Sequence, residues 1–106
     1  MDLIGNLTVL VDLWAGAHRA AGASRVSRKT LGARVLDDAK LFDRLEGGGA
    51  LNVPRFERLI DYLSEPGNWP EGVLPEMAER RLAAMGVAVP GWRLVLERDR
   101  VERVEV

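Results

Sequence analysis

Apolar side chains recur three and four residues apart through most of the first 63 positions, in short runs ended by glycines or by acidic pairs. Over residues 2–21 they are Leu3, Ile4, Leu7, Leu10, Val11, Trp14, Ala17 and Ala21, a spacing that gathers them on one face of a helix. Asp2 is placed to cap its start and Gly22 to stop it. Gly5 and Gly16 weaken it by about 1 kcal/mol each relative to alanine. Residues 22–26 read as a loop. Ser27 then caps a second helix, Arg28–Leu36, with Leu31, Val35 and Leu36 facing inward. Either Asp37 or Asp38 caps a third helix over 39–46, with Leu41 or Phe42 and Leu45 as its apolar residues, and Gly47-Gly48-Gly49 ends it. Asn52 caps a fourth helix. Pro54 sits in its first turn, where a missing N–H is harmless, and Phe56, Leu59, Ile60 and Leu63 form its inner face.

The remainder has a different character. Residues 65–72 form a turn-rich connector. A short helix is expected over 75–85, with acids early and arginines late as the helix dipole favours, ended by Gly86. From Trp92 to the end the periodicity changes to alternation, and a β-hairpin is expected over 92–106. A lone two-stranded hairpin is marginal in water, so it must pack on the helices or pair along its edge with another chain.

A length of 106 residues, 47% hydrophobic and 29% charged, suits one mainly α globular domain of four or five helices with a short extension. The expected division is 1–65 as the core unit and 66–106 as the extension. With no cysteine and one histidine, His18, disulfides, thiol chemistry and Cys-ligated zinc are excluded. No HExxH, CxxC, GxSxG or DxDxDG arrangement is present. The three glycines follow a helix and precede no Lys-Ser/Thr, so they are not a phosphate cradle. No catalytic residue, cofactor or metal is expected. No basic segment precedes the first apolar residues and no 18-residue apolar run occurs, so neither a signal peptide nor a membrane span is expected, and a cytoplasmic location follows.

Net charge is −1, which argues at first against nucleic acid. The total is a cancellation. Residues 19–34 carry Arg19, Arg25, Arg28, Lys29 and Arg34 with no acid, whereas 45–79 carry Arg55 and Arg58 against seven acids. Screening confines each charge to roughly 8–10 Å, so a local basic window matters even on a neutral molecule.

Two short helices joined by a tight turn, a glycine stop and a further amphipathic helix make a helix-turn-helix pattern. The stretch from Lys29 to Gly47 resembles the lambda-repressor/Cro-like (XRE-type) family. Leu31-Gly32 stands where that family has a hydrophobic–small pair that lets two helices cross closely. Val35, Phe42 and Leu45 stand at its hydrophobic positions, and Glu46-Gly47 at its acid–glycine close. The resemblance spans roughly 3–64. Two departures stand out. Leu36 occupies a position that is often glycine, and Asp37-Asp38 open the recognition helix where phosphate would disfavour carboxylates. The alternative phase starts the reading helix nearer Arg28.

The resemblance implies a phage-like transcription regulator, nucleoid-associated when bound, whose recognition helix lies in the major groove of double-stranded DNA. Lys40 and Arg44 would read base edges, with Arg44 suited to a bidentate guanine contact. Ser27, Arg28, Lys29 and Arg34 would contact phosphates. Pairing two half-sites implies a homodimer, with the 75–85 helix and the hairpin as its elements. The alternative is a protein–protein interaction module on the same scaffold, antitoxin-like or one subunit of a two-protein activator, binding its partner through the C-terminal segment.

Overall fold

The computed structural model describes residues 3–87, which form five α-helices and two single 3-10 turns. The helices are α1 Leu3–Ala20, α2 Arg28–Leu36, α3 Leu41–Glu46, α4 Val53–Leu63 and α5 Glu76–Ala84; the turns are Pro66–Asn68 and Pro70–Gly72. Asp2, Trp92 and the hairpin expected over 92–106 lie outside the described residues.

Local chemistry sets most boundaries. Ser27 takes the extended N-cap conformation at α2, and its N–H donates to Thr30 Oγ1 at 3.0 Å. The Asn52 side chain accepts from Arg55 N–H at 2.9 Å, capping α4 as expected. Satisfying one otherwise orphaned N–H in this way is worth about 1 kcal/mol.

The turn between α2 and α3 differs from expectation. Asp37 does not cap α3; it closes α2 in the left-handed conformation, φ 53 and ψ 40, and its N–H returns to Ala33 O. The left-handed position thus falls one residue after Leu36. Asp38 then accepts the Lys40 N–H at 3.2 Å, an Asx turn that uses up residues 39–40. As a result α3 begins at Leu41 instead of 39, with Lys40 at its N-cap, and runs six residues.

One core collects the apolar faces. α1 supplies Leu7, Leu10, Val11 and Trp14, α2 Leu31, α3 Leu41, Phe42 and Leu45, and α4 Leu59, Ile60 and Leu63. Val35 and Phe56 pack at its margin. Trp69, Leu74, Ala78 and Leu82 join the same core, so the described part of the extension folds back onto the unit before it. α5 packs along α1, and any dimer contact made by α5 must use its outer face, where Met77 is exposed.

Hydrogen bonds fasten the connector. The Asn68 carbonyl accepts from Trp14 Nε1 at 2.9 Å and lies 3.0 Å from His18 Nε2. Asn68 Nδ2 donates to Tyr62 O at 2.9 Å, and Trp69 Nε1 to Leu63 O at 2.7 Å. Among the described residues no helix is long and apolar enough to cross a membrane.

Candidate nucleic-acid interface

The joint between α2 and α3 turns on Gly32. A Cβ built there would lie 2.4 Å from the Asp38 carbonyl oxygen and 3.6 Å from Leu41 Cβ. Real Cβ atoms do not approach oxygen so closely, so only glycine permits this crossing. The Asp38 N–H donates to Gly32 O at 3.0 Å, and the Asp38 carbonyl accepts from Leu41 N at 3.3 Å. The turn backbone is therefore tied to both helices. Leu41, Phe42 and Leu45 face the core while Asp43, Arg44 and Glu46 are exposed.

The five charged candidate contacts fall into two kinds, and Ser27 stands apart. Lys29, Arg34 and Lys40 are exposed and make no ion pair among the described residues. Arg34 is nevertheless placed: its guanidinium lies 5.7 Å from the Trp14 ring centroid, and Nη1 is 3.3 Å from the Tyr62 hydroxyl. The Trp14 ring is itself edge-on to Tyr62 and His18, at 6.0 and 4.7 Å between centroids. Lys29 and Arg34 are five positions apart, about 140° around α2 at helical pitch, so they flank its outer surface instead of sharing one side. Ser27 is half-buried at the α2 N-cap.

Arg28 and Arg44 are held by carboxylates. Arg28 Nε and Nη2 donate to Asp12 Oδ1 and Oδ2 at 2.7 and 2.8 Å, and Nη1 donates to Glu46. This bracket links α1, α2 and α3. Hydrogen bonding from Arg28 holds the Asp12 carboxyl below its ordinary range against a partial desolvation penalty, and the same bonds raise the Arg28 pKa. Two carboxylates around one guanidinium leave a net negative group, and a phosphate reaching Arg28 must compete with both.

Arg44 Nη1 donates to Asp38 Oδ1 at 3.1 Å and Nη2 to Oδ2. Arg55 of α4, outside the sequence-based candidates, brings Nη2 to 3.4 Å from the same Oδ2. The Arg44 hydrogen bonds hold the Asp38 carboxyl below its ordinary range, and its bonds with Asp38 raise the pKa of Arg44. The carboxylate expected to repel phosphate is thus neutralised by two arginines. Asp38 and Arg44 are six residues apart, outside the three- and four-residue spacing at which helix neighbours meet, and the approach of Arg55 depends on how α4 packs against α2, so neither contact was legible in the sequence.

Comparison with known protein families, curated proteins and solved structures found no match to this chain.

Proposed function

We propose that this chain is a sequence-specific DNA-binding transcription regulator in which α2 and α3 act as a helix-turn-helix and α3 enters the major groove. The observation that carries this is the glycine-dependent crossing of α2 over the 37–40 turn, which fixes α3 against α2 with its apolar residues inward and Arg44 outward. Lys40 at the N-cap of α3 and Arg44 within it are then the base-reading side chains. Lys29 and Arg34 supply the backbone cations; Ser27 and Arg28, at the α2 N-terminus, lie where a phosphate would approach the helix end. With few unpaired cations on one protomer, two copies on adjacent half-sites provide the affinity.

A fluorescence-based selection of genomic fragments with the full-length chain tests this. Enrichment of one short sequence with dyad symmetry is the expected result. Retention of every fragment alike, or of none, excludes it.

A second function of a different class is favoured by one observation. The Arg28 bracket gathers Asp12 and Glu46 where α1, α2 and α3 meet, and Asp43 adjoins Arg44 in α3, so carboxylates accompany the candidate cations. A face of mixed charge suits a protein partner better than a uniform phosphate array. A regulator subunit that docks a second protein through this face would associate with that protein but enrich no DNA sequence.

A further inference from the structure

Asp38 does more than close a turn. Its side chain is 15% exposed, although it sits between two solvent-facing segments, and both of its oxygens are in use. Oδ1 takes the Lys40 N–H and Arg44 Nη1; Oδ2 takes Arg44 Nη2 and faces Arg55 Nη2. Its backbone is pinned to Gly32 on one side and Leu41 on the other. The carboxylate is consequently fixed on a tied backbone, and the guanidinium that grips it is fixed in turn. Arg44 is 54% exposed in its side chain, so it is held without being covered.

The mode of grip matters. A carboxylate that takes one hydrogen from each Nη nitrogen occupies the end of the guanidinium. Of the five N–H donors, the Nε–H and the outer Nη hydrogen parallel to it remain as a second two-donor edge. Guanine presents O6 and N7 in the major groove as a matched pair of acceptors. An arginine already held at one end loses less side-chain freedom when its other edge meets a base, so more of the contact appears as affinity and discrimination. Arg55 keeps the cluster net positive, two guanidiniums to one carboxylate, so the buttress does not make the site repel DNA.

Building on the major-groove role of α3 proposed above, we propose that Asp38 is the positioning residue that presents Arg44 to a guanine. Asp38 touches no base; it sets the direction and rigidity of the residue that does. A carboxyl is ionised at neutral pH in any case, and the Arg44 hydrogen bonds lower its pKa further.

The test is selection of full-length protein on a randomised double-stranded DNA library, followed by equilibrium binding to the enriched site and to each single base-pair variant of it. Wild type is expected to prefer G·C at one position of each half-site by about tenfold or more. In D38N and in R44K that one preference should fall to about threefold or less, with preferences at other positions retained. A folded D38N that keeps the full preference overturns the role of Asp38 while leaving DNA binding intact. A wild type that enriches no sequence overturns DNA binding itself, and the positioning role with it. A second measurement needs no variant: 15N relaxation of the Arg44 Nε in the free wild-type protein. A backbone-like order parameter, about 0.85, is expected; a value below about 0.6 overturns the buttress.

Discussion

Replacing Gly32 by alanine puts a methyl carbon 2.4 Å from the Asp38 carbonyl oxygen, where ordinary contact begins near 3.4 Å. About 1 Å must be recovered, and the obstructing atom is backbone, held by the Asp38 N–H bond to Gly32 O at 3.0 Å and by Leu41 N at 3.3 Å. Overpacking of this kind costs about 1–3 kcal/mol. Losing the Gly32–Asp38 hydrogen bond adds about 1 kcal/mol, and the better helix propensity of alanine returns about 1 kcal/mol. The net is a destabilisation of about 1–3 kcal/mol, or a fall in Tm of roughly 5–20 °C for a domain of this size. Gly16 in α1 is the matched control. Its added Cβ would find nothing nearer than Arg19 Nη2 at 3.8 Å, so Gly16→Ala should gain about 0.5–1 kcal/mol. Thermal unfolding followed by far-UV circular dichroism measures both. A G32A Tm equal to or above wild type would refute the glycine-dependent crossing, whatever the G16A result.

Two further outcomes are expected. Leu82 of α5 is fully buried in the common core, so Leu82→Ala should destabilise the whole protein by about 2–5 kcal/mol in one transition; a variant that loses only a minor, separate transition would mean that α5 folds apart from the rest. Asp12 and Asp38 both have folded pKa values below the ordinary 3.8. Their contribution is therefore present above that value and lost as pH falls through the lower folded values, so urea midpoints should drop below about pH 4 in wild type and less steeply in the D12N/D38N double variant. Equal slopes would remove these two carboxylates from the acid response.

How far the fold could be read from the sequence depended on the range of the interactions involved. Ser27, Asn52 with Pro54, and the glycines after α3 act within a turn of their own positions, and the boundaries of α2 and α4 follow from them. The inner face of α4 follows from period alone, as does that of α1 from Leu7 to Trp14, whereas Leu3 and Ala21, in the same period, are exposed at the two ends. The start of α3 does not, because Asp37-Asp38 has the composition of a cap while its geometry is set by Gly32, five and six residues earlier. The candidate site shows the same divide. Lys29 and Arg34 are exposed, in keeping with the charge window, and so is Lys40 beyond it. Arg28 is claimed by Asp12 and Glu46, 16 and 18 residues away, and a count of charge within a window cannot see such partners. The placement of Asn68 against Trp14 and His18, and of Arg55 against Asp38, likewise exists only once the helices are packed.

DNA binding itself is tested most directly by the salt dependence of binding to an enriched site, measured by fluorescence anisotropy with the full-length chain. On the proposed reading Lys29 and Arg34 would supply two backbone cations per protomer and four per dimer, for an expected slope of log K against log salt of about −4. A slope near that value, with a scrambled site bound at least about a hundredfold more weakly, is the expected result. Equal affinity for the two sites, or binding indifferent to salt, would contradict a major-groove role for α3.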